Sequence, residues 1–304
     1  MVDKDKLKPL AYMHRQATDT DPLRIYKLLF AGGLAGGVSR TVTAPIDRLK
    51  MIMMTQESVK GMSVREGLQQ MAAEGSWRSY FRGNGANAVK IAPETAIKLT
   101  VNDSLKQVFA ADPDDIQWSE RLVCGGVAGA FAQALLYPLD TIKTRMALSP
   151  SSTYSGIIHC AYCIRNNEGT AAFYRGLVPS MIGILPYAGV DIMVFEILKE
   201  NLMQKYGGSP PSYMILGAGM LSSSVAQLFS YPLALIRTRL QAQGSQGVPC
   251  QYTGMVDVFN RTIEREGWRG LYKGMLPNMV KLAPAAGISW YLFEETKAYM
   301  KVLD

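Results

Sequence analysis

Acidic and basic residues recur in this chain at spacings that suit reversible ion pairing rather than bond breaking. Two residues after Pro45, Pro138 and Pro232 stand Asp47, Asp140 and Ala234, and three further on come Lys50, Lys143 and Arg237, a spacing that puts each pair on one helix face. Ten residues after Pro93, Pro186 and Pro284 stand Asp103, Glu196 and Glu294, each followed three residues later by a lysine, Lys106, Lys199 and Lys297. An exposed pair is worth about 0–1 kcal/mol, so rings of such pairs can be broken and remade by a bound solute. Between the rings, Lys90, Gly183 and Lys281 precede the last prolines by three residues, and Arg40, Gln133 and Gln227 precede the first prolines by five. A cation at mid-bilayer costs about 2.5–3.5 kcal/mol, so Arg40, Lys90 and Lys281 are expected to face water and an anion rather than lipid. Glu94, one turn beyond Lys90, either accepts a lysine or helps hold a divalent ion, and Asp191 poses the same choice. No phosphate loop or catalytic triad is present, and the CxxC of Cys160 and Cys163 has neither a second pair nor a histidine at zinc spacing. We therefore expect no enzyme, no metal site and reduced thiols.

The elements that carry these charges must repeat. APIDRLK, YPLDTIKTR and YPLALIRTR recur 93 and then 94 residues apart, followed by EGSWRSYFRG, EGTAAFYRG and EGWRGLYKG; such self-similarity is the first thing to settle in a sequence. Each copy of about 95 residues has an apolar stretch before its first proline and another around its last, long enough to cross about 30 Å of hydrocarbon. The fold predicted is an all-α membrane protein of six transmembrane helices, in three parallel repeats about an axis along the membrane normal. The repeats are placed at 23–112, 113–207 and 208–304, after a polar tail at 1–22. SVREGLQQMAA, GIIHCAYCIRN and MVDVFNRTIERE read as three short amphipathic helices at one membrane face. The first prolines should kink the odd spans, and the pairs Gly32/Gly36, Gly33/Gly37 and Gly125/Gly129 should let backbones approach closely. Composition agrees: 48% hydrophobic and 19% charged residues exclude a disordered chain, while a mean hydropathy near zero excludes uniformly apolar spans. The net charge of +7 suits an anionic partner. Nucleic acid is not expected, because the basic residues lie in spans and at helix ends.

These motifs resemble the mitochondrial carrier family, whose signature P-x-[DE]-x-x-[KR], then [DE]-G and an aromatic-basic-glycine triplet, appears three times across residues 23 to 303. The resemblance implies a multi-pass protein of the mitochondrial inner membrane, a monomer, with one central site opened alternately to each side. It makes Asp47, Lys50, Asp140, Lys143, Arg237 and the glutamine brace Gln241 a matrix gate with at most two ion pairs, because Ala234 removes one acid. Asp103, Lys106, Glu196, Lys199, Glu294 and Lys297 become the cytoplasmic gate. It also implies cardiolipin as a structural lipid where Gly156 and Gly254 open helices opposite the turns of Gly176 and Gly274.

Within the family, SRTVTAPIDRLK, RGNGANAVKIAPETAIK, LPYAGVDIMVFEILK, SYPLALIRTRLQAQ and PAAGISW look closest to the ATP-Mg/phosphate carriers. The triple-Arg, triple-Met segment of ADP/ATP carriers is absent, Ile236-Arg237-Thr238-Arg239-Leu240 standing there. The EF-hand arm of calcium-regulated relatives finds no counterpart: DPDDIQW at Asp112 is too short and lacks the glycine and terminal glutamate. Substrate binding is assigned to Arg40, Lys90, Glu94, Gly183, Ile184, Tyr187 and Lys281. Three cations less one acid match the magnesium complex of ATP, with about two negative charges, better than free ATP, with about four. Gly183, with Ile184 and Tyr187, leaves room for a flat ring. The function expected is exchange of ATP-Mg or ADP against phosphate, with no cofactor beyond magnesium carried on the substrate. Coenzyme A or another adenine-containing phosphate is the alternative, as is an accessory subunit of a larger inner-membrane complex that keeps the fold without transport.

Overall fold

The computed structural model describes residues 22–57, 61–109, 118–150, 152–245 and 251–300. Apart from Pro22 and Trp118, the polar tail and the DPDDIQW segment lie outside them, as does Cys250. Among the described residues every regular element is helical, and the repeat seen in the sequence recurs in the element order. The first copy comprises α1 (Pro22–Val42), α2 (Ala44–Thr55), α3 (Val64–Ala73) and α4 (Asn84–Phe109). The second comprises α5 (Trp118–Leu148), α6 (Ile157–Glu168) and α7 (Leu177–Lys205), the third α8 (Ser212–Ala242), α9 (Met255–Glu266) and α10 (Met275–Tyr299). A short 3-10 turn follows each of α3, α6 and α9. These last three are the expected amphipathic helices, each burying a small face, such as Cys160 and Ile164 in α6.

The prolines act less uniformly than expected. Pro45 interrupts its span: α1 ends at Val42, and Pro45 lies in the first turn of α2, where its missing N–H leaves no bond unmade. Pro138 and Pro232 sit inside unbroken helices. In these two copies a tyrosine precedes the proline and straps the helix to the following turn, Tyr137 Oη donating to Arg175 O at 3.2 Å and Tyr231 Oη to Lys273 O at 2.8 Å. Ala44, at the same place in the first copy, has no hydroxyl to do so.

Packing divides the chain into Arg40–Ala285 and a second unit formed by Met1–Ser39 with Ala286–Asp304. Within Arg40–Ala285, α4 packs along α5 and α7 along α8, while α2, α5 and α8 meet one another. The close-packing reading of the glycines needs correction. A Cβ added at Gly32, Gly33, Gly36, Gly37, Gly125 or Gly129 would meet nothing described within 4 Å. The buried small residues are instead Ala31, Ala35 and Ser39 in α1, Cys124, Ala128 and Ala132 in α5, and Ala218, Ser222 and Ala226 in α8. These lie fourteen, ten and six residues before the first prolines in all three copies, so the stripe is in register and its residues are mostly alanines.

Two devices fix the repeats to one another inside Arg40–Ala285. Arg48, Arg145 and Arg239 are nearly inaccessible, at 1%, 1% and 3% exposure, and pair with Glu74, Glu168 and Glu266 of the Glu-Gly motifs. Each also donates from Nε to a carbonyl of the next copy: Arg48 to Ala147 at 2.8 Å, Arg145 to Gln241 at 3.3 Å and Arg239 to Met54 at 3.0 Å. The cycle closes, so the copies are stapled in a ring by buried, charge-assisted bonds. The second device is the turn glycine. Gly83, Gly176 and Gly274 have φ of 80°, 86° and 77°, and a Cβ there would lie 2.6, 2.9 and 2.9 Å from the carbonyl oxygens of Lys143, Arg237 and Lys50. Only glycine allows both the left-handed backbone and that approach. The residues so gripped are the three bases of the first-proline ring.

Candidate functional site

All the candidate residues except Glu294 and Lys297 lie in Arg40–Ala285, so the ring after the first prolines can be read directly. Asp140 is its hub, accepting from Arg237 Nη2 at 2.6 Å, Lys90 Nζ at 2.9 Å and Gln133 Nε2 at 2.6 Å. Asp47 accepts from Lys281 Nζ at 2.7 Å. Lys50 donates to Asn278 Oδ1 at 2.8 Å and lies 5.6 Å from the centre of the Tyr231 ring. Lys143 donates to Asn87 Oδ1 at 3.2 Å.

This pairing differs from the sequence-based expectation in two respects. Of the two ion pairs expected within the ring, only Asp140 with Arg237 forms; Asp47 is taken by Lys281, and Lys143 turns to an amide. The other expected partners, Asp47 and Lys143, both line a small void of about 10 Å³ with Asn87 and Arg82. Nor do Lys90 and Lys281 stand alone between the rings, because each is bound to a ring acid. The reason is reach: a lysine three residues before the last proline lies opposite the acid of the next copy's odd helix, 50 residues on for Lys90 and across the chain ends for Lys281. Gln241 braces Thr144, whose Oγ1 donates to its Oε1 at 2.9 Å, while its buried Nε2 has no partner among the described residues.

Arg40 is half-buried, and its side chain makes no hydrogen bond or ion pair among the described residues. Glu94 receives Lys98 Nζ at 2.7 Å and has Lys90 Nζ at 3.8 Å. Gly183, Ile184 and Tyr187 occupy one stretch of α7, and a Cβ at Gly183 would meet Leu233 Cβ of α8 at 3.6 Å. No hydrogen bond joins these three to Arg40, Lys90 or Lys281 among the described residues. Asp191 finds hydroxyl partners across α7 and α8, accepting from Ser222 Oγ at 2.7 Å and Ser223 Oγ at 3.1 Å. The second ring is different. Among the described residues Asp103, Lys106, Glu196 and Lys199 form no ion pair, and Glu294 meets Lys297 within α10 at 3.6 Å.

Sequence reasoning missed Lys98, Asn87, Asn278 and the buried arginines. Asn87, Ser180 and Asn278 fall six residues before the three last prolines, and Arg145 and Arg239 seven after the first prolines, so register could have found these, whereas Arg48 and Lys98 have no counterpart in register. Outside the spans, burial works to raise the Glu168 carboxyl, but the hydrogen bonds and charges of Arg145 and Arg175 prevail and hold it below the usual carboxylate range. Burial pushes the Cys160 thiol up to about 12, against the opposing charge of Arg145.

Comparison with known proteins places this arrangement. The mitochondrial carrier protein family matches residues 21–113, 114–206 and 209–302, so the chain belongs to that family and to the mitochondrial inner membrane. Helices spanning Thr170–Lys205 and Ser212–Ala242 are long and apolar enough by composition to cross a membrane. α4, which carries Lys90, Glu94, Lys98, Asp103 and Lys106, shows how the rings' charges keep other helices from that standard. Among curated relatives, the mitochondrial adenyl nucleotide antiporter SLC25A24 of Oryctolagus cuniculus is 46% identical over 281 residues, 91% of this chain and 58% of its own length. The mitochondrial adenyl nucleotide antiporter SLC25A25 of Homo sapiens is 46% identical over 282 residues, covering 91% and 60%. The calcium-binding mitochondrial carrier protein SCaMC-2 of Bos taurus is also 46% identical, with the same coverage. The chain thus spans about three fifths of the length of these relatives.

Proposed function

We propose that the chain is an antiporter that exchanges an adenine nucleotide, as ATP-Mg or ADP, against phosphate by alternating access, and not an enzyme. One observation carries the reading: the two substrate lysines, Lys90 buried and Lys281 partly so, are held by the acids of the ring that must part before a solute can leave toward the matrix. Lys90 is bound to Asp140 at 2.9 Å and Lys281 to Asp47 at 2.7 Å. An anion that reaches both lysines replaces both carboxylates, so binding and gate share one set of bonds. A ligand moves such an equilibrium only by its differential affinity for the two states, and here the differential contacts are named. Arg40, whose side chain makes no hydrogen bond or ion pair among the described residues, takes the first phosphoryl group. A nucleotide phosphate chain offers several anionic groups to the two lysines, whereas a small carboxylate offers one. The names of the relatives support adenine as the base, and Gly183 beside Leu233 supplies the uncharged slot for it.

With both acids of the first ring bound to cations, and Asp103, Lys106, Glu196 and Lys199 in no ion pair among the described residues, the arrangement fits a carrier closed toward the matrix. Cardiolipin belongs to the same proposal. The backbones at Gly156 and Gly254 are extended, φ 176° and 178°, with no side-chain cap at either helix start and open space around them, which suits a doubly anionic head group. The matching start of α3 is filled by its own Ser63–Glu66 capping box, so two lipid sites are proposed here rather than three. Gly176 and Gly274, which pack against Arg237 and Lys50 on their Cβ side, stay in the same proposal as the turns facing those helix starts.

The test is uptake of labelled ATP by liposomes containing the 304-residue protein and loaded with phosphate. Uptake that requires magnesium and is indifferent to calcium chelation agrees with the proposal. Uptake of coenzyme A in its place, or strict ADP-for-ATP exchange without magnesium, refutes it.

A further inference from the structure

The Glu94 carboxylate occupies a place where an anion would otherwise be drawn. Its Oε1 accepts from Lys98 Nζ at 2.7 Å and its Oε2 faces Lys90 Nζ at 3.8 Å, while the Arg40 charge also acts on it. Two lysines therefore flank one carboxylate, within reach of the Arg40 charge. The geometry is graded. The Glu94 side chain is 14% exposed and Lys98 46%, so the carboxylate is sheltered while the outer ammonium is open to an arriving ligand. Lys90, Glu94 and Lys98 follow one face of α4 at four-residue steps, and at 1.5 Å per residue Lys98 stands about 12 Å further from the first-proline ring than Lys90. Lys90 is in turn bound to Asp140, so the line of charges runs unbroken from the outer lysine to the gate.

We propose that Lys98, Lys90 and Arg40 form an anion subsite for a phosphoryl group, and that Glu94 is its resting occupant, a tethered carboxylate that a phosphate displaces. Lys98 is then a substrate-contacting residue, the first that a phosphate chain meets on its way to Lys90. Glu94 tunes selectivity by competing with the ligand rather than by holding magnesium. A weakly charged anion does not dislodge it, whereas a di- or trianionic phosphate does, because it satisfies more of the surrounding positive charge than one carboxylate. This inference rests on the reading of the chain as a carrier of phosphate-bearing solutes, but it concerns phosphate and not the base.

The experiment measures binding to the purified 304-residue protein by ligand-dependent thermal stabilisation, with inorganic phosphate and with ADP, both without magnesium. Lys98→Ala should raise the Kd for both about tenfold, and Lys98→Arg should largely restore it. Glu94→Gln should lower the Kd for both about tenfold. In the double variant with Lys98→Ala the gain from Glu94→Gln should shrink, since the ammonium for which Glu94 and the ligand compete is gone. The melting temperature without ligand shows whether each variant folds, and Lys98→Arg keeps the test decisive if Lys98→Ala does not. Unchanged binding in Lys98→Ala, or weaker phosphate binding in Glu94→Gln, overturns the subsite. So does a wild-type protein that phosphate does not stabilise at all. A wild-type protein stabilised by phosphate but by no adenine nucleotide, with Lys98→Ala still weakened, refutes the nucleotide proposal and supports the subsite.

Discussion

Asn278→Asp offers a sharp test of how this gate is held, because it changes one atom type at a contact already formed. Lys50, which has no acid at Ala234 to meet, is bound by Asn278 Oδ1 at 2.8 Å, and the Asn278 amide nitrogen donates to Gln227 Oε1. A carboxylate there converts a charge–dipole bond into an ion pair of nearly the same shape. At 2.8 Å and an effective dielectric of 20 the gross attraction is about 6 kcal/mol, and desolvating a partly buried carboxylate takes back several. The Gln227 amide can rotate to donate instead, so that contact is not lost. The net gain is on the order of 1 kcal/mol in favour of the closed ring. Thermal unfolding in detergent should shift up by roughly 2 °C, and exchange in liposomes should slow about fivefold if parting of the ring limits turnover. Asn278→Ala should do the reverse on both measurements. An Asn278→Asp protein with unchanged melting and unchanged or faster exchange would refute the claim that Lys50 is held from α10.

The remaining predictions concern the lysines, the staples and the lipid. Lys90→Ala and Lys281→Ala should each abolish nucleotide exchange while leaving the helical circular dichroism of the protein intact; wild-type exchange in either would remove that residue from the site. Glu168→Gln leaves the buried Arg145 without its countercharge and should cost about 3–5 kcal/mol. Because the folded carboxyl is held below its usual value of about 4.3, this stabilisation is fully present above that pH and is lost as pH falls through the lowered value. The difference in melting temperature between wild type and variant should therefore shrink below about pH 4, and a constant difference would count against the pair. Added cardiolipin should raise the melting temperature of the wild type, and Gly156→Glu should reduce that shift; no shift in the wild type would discard the lipid sites.

Much of this fold is written in the sequence as register. Prolines, Glu-Gly pairs and charged positions recur at one interval, and a threefold interval admits few architectures, so the helices and their order follow. What register leaves open is which neighbour a side chain meets. Lys90 announces an expensive cation in a span, but its partner Asp140 lies on the next copy, and only packing of α4 against α5 brings the two within 2.9 Å. The glycines drew attention because glycine is the familiar sign of close helices, whereas the buried stripe of Ala128, Ala132, Ala218 and Ala226 uses a residue too common to stand out. Asn87 and Asn278 are hard to read from sequence for a related reason: an amide that holds a lysine carries no charge.

Two departures that look unrelated in the sequence are joined by the structure. The lysine three before a last proline binds the acid of the next copy's odd helix, Lys90 to Asp140 and Lys281 to Asp47. By the same rotation Gly183 corresponds to Ala234, and the space between them is bridged by Leu233, 3.6 Å from a Cβ at Gly183. The missing base and the missing acid are thus one missing pair, removed from both sides at once, which leaves a neutral gap beside two charged positions. Removing either partner alone would have left an unbalanced charge in the span. Gly183→Lys should accordingly destabilise the protein by about 2.5–3.5 kcal/mol, the cost of a lone cation at that depth. Adding Ala234→Asp should recover at least 1 kcal/mol of it by restoring the pair. The double variant should fold yet transport no adenine nucleotide, because the restored pair fills the gap proposed for the base. A double variant whose melting temperature falls by the sum of the two single losses would show that Gly183 and Ala234 do not face each other, and would take the adenine slot with it.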